Sequence, residues 1–286
     1  MSRARLILDL LGRPRTVGYG PHASQRADLH LPPGPGPHPV VVAIHGGSWE
    51  STYGRIIMRG LAAELARRGW AVWNIEYRRL GRGGGWPMSF EDVAAAADHL
   101  SVLDAPLDLA RVAGLGHSAG GQLVLWAAGR YKLPPGAPGA GPRIRFAAAI
   151  SQAGVIDLAG AYAADPDGPV GALMGGPPVA VPDRYAVADP IGQVPLDLPV
   201  LLVHGIHDPT VSVERSRAYA VASRRAGGSV ELVEIPGHAG RHRGHIDPAG
   251  PSFGIAAAWL GRTLPPGNPA PNREAPPGRG FSVAGL

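Results

Sequence analysis

The feature that most constrains the fold of this chain is an alternation. Apolar runs of strand length occur at Val40 to Ile44, Ala71 to Ile75, Val112 to Leu115, Phe146 to Ser151, Val200 to His204 and Val230 to Ile235. Between most of them lie segments of helical period, at about Met58 to Arg68, Phe90 to Leu103, Ala119 to Arg130 and Val213 to Arg225, and a last one fits Ile255 to Leu264. Strands this short and this uniformly apolar are buried on both faces, and helical connections between them imply parallel pairing. The expectation is an α/β fold, a mostly parallel central sheet with helices on both faces. Ser89, with Asp92 three residues on, is the expected cap at the start of the second helix. A chain of 286 residues can bury one large core, so a single domain is expected over residues 1–264.

Glycine (42 residues) and proline (31) are abundant enough to raise the question of low complexity. They crowd into Pro32 to Pro39, Pro134 to Pro142 and Pro265 to Gly280, leaving the periodic segments intact. The first two clusters read as loops and residues 265–286 as a disordered tail, and no internal repeat is present. No run approaches the roughly 20 apolar residues of a membrane span, and Leu6 to Leu11 is short and broken by Asp9. The expectation is a soluble protein without a signal peptide. With no cysteine there are no disulfides or thiolate metal sites, and the cytoplasm is the default location. The net charge of +5 invites the thought of nucleic acid, but the arginines are scattered, Lys132 is the one lysine, and no recognition motif or aromatic platform accompanies them. Neither nucleic acid nor membrane is an expected partner.

In parallel sheets, ligands sit beyond the carboxyl ends of the strands. Directly after Val112 to Leu115 comes Gly116-His117-Ser118-Ala119-Gly120-Gly121. A serine exposed on a sharp strand-to-helix turn is strained, and very small residues two positions either side avoid a clash. The following helix aims its free N–H groups at that serine. The competing reading is a glycine-rich turn with a capping serine. After Val40 to Ile44 comes His45-Gly46-Gly47-Ser48-Trp49, where two adjacent glycines let N–H groups turn toward a developing oxyanion. His45 is expected to brace that loop. Trp49 either lines a substrate pocket or caps the core, and His117 is a second candidate for substrate contact. At the end of Val200 to Val203, His204-Gly205-Ile206-His207-Asp208-Pro209-Thr210-Val211 offers Asp208, either a triad carboxylate or a cap on the turn before the next helix.

Taken together, HGGSW, GHSAGG and HGIHDPTV resemble the esterase and kynurenine-formamidase-like branch of the α/β-hydrolase superfamily, over roughly residues 25–262. Glu76-Tyr77-Arg78-Arg79, Trp86-Pro87 and Asp157-Leu158 are similar to that family as well. The resemblance implies an α/β-hydrolase fold with oxyanion N–H groups from Gly46, Gly47 and Ala119, Ser118 as nucleophile and Asp208 as the triad acid. For the base it offers His238, His242 and His245. Family members often carry a histidine six positions before the proline of an Ile-Asp-Pro turn, and Pro248 then selects His242. Departing from that pattern, Arg241 and Arg243 flank it, facing either water or an anionic substrate.

The chemistry this implies is acyl transfer to Ser118 with no metal or other cofactor. The insertion at about residues 157–194 is short and rich in proline, which suits a small cap and not a large apolar lid. The expected partner is a small ester or formamide: a short-chain carboxylesterase leads, an arylformamidase acting on N-formylkynurenine follows. A noncatalytic hydrolase-fold binding protein is the reading of another class.

Overall fold

The structure, a computed structural model, describes residues 14–266, with the side chains of residues 238 and 239 left out. The expected tail lies almost wholly outside the described residues, as does the Leu6 to Leu11 run. Eight strands form one sheet: β1 (Arg15–Gly18), β2 (Arg26–His30), β3 (His38–Ile44), β4 (Ala71–Ile75), β5 (Leu107–His117), β6 (Ala148–Gln152), β7 (Val200–Gly205) and β8 (Val230–Ile235). Their order is β1-β2-β4-β3-β5-β6-β7-β8. β2 runs antiparallel to both β1 and β4, and every other pairing is parallel. The α/β-hydrolase arrangement expected from the sequence is the one observed.

The helices are α1 (Arg59–Arg67), α2 (Met88–His99), α3 (Ala119–Gly129), α4 (Leu158–Ala164), α5 (Pro169–Met174), α6 (Pro182–Ala188), α7 (Glu214–Arg225) and α8 (Pro251–Thr263). Alternate residues of the central strands feed two cores. Val40, Val42 and Ile44 pack with Trp73 and Trp126 on one face; Val41 and Ala43 pack with Leu61, Trp70 and Phe253 on the other. The central strands are therefore mostly apolar on both faces, the signature that revealed them. Among the described residues no helix is long and apolar enough to cross a membrane.

Two features differ from expectation. Ser89 does not cap α2; Pro87 occupies that position, without a side-chain cap bond. Ser89 Oγ instead donates to the Arg78 carbonyl (2.6 Å) and accepts from the Gly85 N–H (2.9 Å). Asp92 is buried, taken by the Arg78 guanidinium and the Gln25 amide. The pair thus ties the loop before α2 to the end of β4, a tertiary contact that outcompetes the local one. Second, α4, α5 and α6 fill the insertion between β6 and β7, and Pro169 and Pro182 start α5 and α6. Proline at the first helical position gives up only an N–H that would be free in any case.

Candidate active site

The residues singled out in the sequence converge at the carboxyl end of the sheet. Ile44 of β3 sits beside Gly116 of β5, and His117 beside Gln152 of β6, so the loops leaving β3 and β5 emerge side by side. Ser118 occupies the turn between β5 and α3 with φ 56° and ψ −122°. Such a backbone costs about 1–3 kcal/mol in a non-glycine residue and persists only where its surroundings enforce it. Here the enforcement is close packing. A Cβ on Gly116 would come within 2.0 Å of the Gly120 carbonyl oxygen, and one on Gly120 within 2.1 Å of the Ile44 carbonyl oxygen.

The loop after β3 lies directly against this turn: a Cβ on Gly46 would meet the Ser118 Cβ at 2.8 Å. His45 is fully buried and stacked on Tyr77, with Nε2 on the Glu76 carboxylate (2.8 Å) and Nδ1 on the Gly46 carbonyl (2.7 Å). Because the peptide is trans, binding the Gly46 carbonyl turns the Gly47 N–H to the opposite side. Among the described residues neither that N–H nor the one of Ala119 has a protein acceptor. Gly47 has φ +112°, open to glycine, and the Tyr53 ring fills the space a side chain would need. Glu76 and Arg79 hold the rest of the loop through the Arg55 N–H and the Tyr53 carbonyl. The sequence singled out Glu76 and Arg79 only as part of a resemblance; their function as braces depends on contacts across the sheet.

Of the three histidines left open, His242 is the one joined to Asp208, Nδ1–H donating to Oδ2 at 2.8 Å. Its Nε2 is thereby left as the ring's lone-pair nitrogen. His245 is fully buried on Ser252 (2.8 Å), lines neither of the two cavities described below, and so is not available as a base there. The side chain of His238 is outside the described residues. Burial alone would raise the Asp208 carboxyl, but the hydrogen bond and charge of His242, with the N–H groups of Thr210 and Val211, outweigh it and hold the group below its ordinary value. Asp208 therefore both caps its turn and holds His242.

His117, expected at the substrate, lines the smaller cavity and also supports the loop of the base. It is buried beneath His242 with Nε2–H donating to the His242 carbonyl (2.9 Å), so it meets the cavity as a wall and spends its donor on the loop of the base. Burial, then the neighbouring His242 and His245, keep its ring well below the ordinary histidine value and neutral. His204 stands 4.0 Å from Asp208, but its Nε2–H is taken by the Val211 carbonyl and its Nδ1 by Ser216. It braces the Asp208 loop, a role invisible without the fold.

Ser118 lies where two cavities meet. One, about 700 Å³, runs beneath the insertion and is lined by Trp49, Val155, Ala161, Ala164 and Val170. The other, about 390 Å³, lies between Tyr53, Ile57, His242, Arg243 and Ile246. Trp49 both lines the larger cavity and is buried in the core, its indole N–H on the Gln122 side-chain oxygen (3.2 Å), so the two readings of it are compatible.

The family model described as BD-FAE matches residues 27–222. Among solved structures, a truncated carbohydrate esterase from gut microbiota is 22% identical with a TM-score of 0.77, over 87% of this chain and 96% of that one. The thermophilic esterase Est2 of Thermogutta terrifontis is 22% identical at TM-score 0.71, over 90% and 97% of the two chains. Esterase B from Lactobacillus rhamnosis, inhibited by a tributyrin phosphonate, is 22% identical at TM-score 0.73, over 91% of each. No curated protein matches the chain.

Proposed function

The chain belongs to the BD-FAE family, and from that premise we propose that it is a serine hydrolase that cleaves small soluble carboxylic esters. The observation that carries the proposal is the Asp208–His242 hydrogen bond beside a serine held on a strained elbow, all at the meeting point of two cavities. In this reading residues 14–264 act as a single catalytic domain, with α4 to α6 as a small cap. Ser118 Oγ attacks the ester carbonyl while His242 Nε2 takes its proton. Asp208 keeps the ring in the required tautomer and stabilises its cation. The N–H groups of Gly47 and Ala119, with Gly46 adjoining, receive the oxyanion. The tetrahedral intermediate collapses as His242 returns the proton to the leaving alkoxide, and water, activated by the same histidine, releases the acid. Solved structures of this shape that are named as esterases favour an ester over a formamide.

Intact-mass analysis after treatment with a fluorophosphonate tests the proposal. One adduct on the wild type and none on Ser118→Ala is the expected result. A folded wild type that takes no adduct would be a binding protein on a hydrolase scaffold.

A further inference from the structure

The two cavities that share Ser118 differ in charge. The larger carries Asp165, Asp208 and Glu214 alongside Arg215 and Arg217, and both arginines are already paired, with Asp157 on one side and with Glu214 and Glu234 on the other. In the smaller, no lining residue is a carboxylate, and Arg243 is its one arginine or lysine. Arg243 has no carboxylate partner among the described residues. Its Nη2 donates to the Tyr53 hydroxyl (3.0 Å), and its guanidinium stands 5.9 Å from that ring's centre. Tyr53 is itself packed on Gly47. A neutral hydroxyl thus props an uncompensated cation at the mouth of a cavity that contains the nucleophile.

The chemistry decides which half of a substrate meets this cation. A triad histidine must reach the leaving oxygen to protonate it, so the leaving group lies on the His242 side. His242 lines the smaller cavity and not the larger one. We propose that the Tyr53–Arg243 cavity is a leaving-group subsite for an alcohol or phenol bearing a carboxylate, with Arg243 as its specificity-determining residue. The cavity beneath the insertion then takes the acyl chain. This inference rests on the ester-hydrolase reading. Guanidinium suits the task because its planar fork can engage both carboxylate oxygens while Nη2 stays anchored on the Tyr53 hydroxyl.

The test compares 4-acetoxybenzoate with 4-acetoxybenzamide, which differ at the ring substituent and share the acetyl group, on the wild type, Arg243→Gln and Arg243→Lys. Arg243→Gln is expected to lower kcat/KM on the carboxylate ester by about fivefold and to leave the amide within about twofold, the upper range of one exposed ion pair. Arg243→Lys should retain part of the preference, and added salt should erode it in the wild type. On p-nitrophenyl hemisuccinate, whose carboxylate is in the acyl half, Arg243→Gln should change little. Equal effects on both acetoxy esters, or an effect confined to the hemisuccinate, would overturn the subsite while leaving the hydrolase intact. A wild type that hydrolyses none of these esters and takes no fluorophosphonate would overturn both.

Discussion

At His117 two demands meet, since the residue before the serine must complete β5 with its backbone while its ring supports the loop above. The Nε2–H bond to the His242 carbonyl ties the position of the proposed base to that of the nucleophile one residue on. Substituting phenylalanine keeps the ring and removes the donor, so folding should survive while the His242 backbone loses its one side-chain anchor from below. His117→Phe is expected to lower kcat about tenfold with KM within about twofold, the size of one lost hydrogen bond that leaves a carbonyl unpaired. A loss carried by KM instead would show that His117 acts on substrate directly. At this scale the sequence was legible wherever backbone geometry dictates residue type. Gly116 and Gly120 could be foreseen because carbonyl oxygens close on them; His242 could be separated from His245 only by family spacing, because the turns that bury one and expose the other are set by α8 and Ser252. Ser89 misled because a serine with an acid three residues on looks the same whether it caps a helix or ties a loop to a strand.

The six apolar strands were legible as elements because burial on both faces leaves few polar positions in the central ones, and even at the sheet edge β8 keeps Val230, Leu232, Val233 and Ile235. β1 and β2 were not, since Arg15–Gly18 and Arg26–His30 read as polar. Asp28 is nonetheless fully buried in β2, held by Thr16 Oγ1 (2.7 Å) and by Arg55 and Arg59. Burying a carboxylate is tolerated only with such partners, and they come from other elements. The insertion was legible as short and proline-rich, and its helices were not, being only six or seven residues long. What fixes them is again a buried acid. Asp189, at the end of α6, accepts from the N–H groups of Leu158 (2.8 Å) and Ala159 (3.0 Å) at the start of α4. Asp189→Ala leaves both donors without a partner, at a cost of about 2 kcal/mol. The expected result is faster amide exchange across residues 158–174 with the sheet unaffected, together with a raised KM for long acyl chains. Uniform loss of protection in the sheet would show that α4 to α6 are part of the global folding unit.

Over the whole molecule, the burial that shapes the site also sets its response to acid. Burial lowers His30 and His245 from 6.5 to about 4, and lowers His204 and, well below the ordinary value, His117. A folded pKa below the unfolded one means that unfolding takes up protons, so stability is full above about pH 7 and falls as pH drops from 6.5 toward 4. Asp189 works the other way: burial raises it from 3.8 to about 6, so between those values its folded form keeps a proton that the unfolded chain releases. Asp28, Glu76 and Asp208 are held below their ordinary values despite burial, by hydrogen bonds and neighbouring cations, and they add to the loss only below about pH 4. His30 and His245 together outweigh the opposing Asp189 by on the order of 3 kcal/mol between pH 7.5 and pH 5, or roughly 8 °C in Tm, and His204 and His117 add to that loss. His30, whose Nε2 has no partner and whose ring lines neither cavity, separates this effect from catalysis. Urea unfolding of wild type and His30→Leu at pH 7.5, 6 and 5 should show a shallower acid slope in the variant, by about 2 kcal/mol over that range, with hydrolysis at pH 7.5 unchanged. Parallel slopes in the two proteins would mean that His30 accepts a proton without unfolding, and that the acid response over this range comes from His117, His204 and His245.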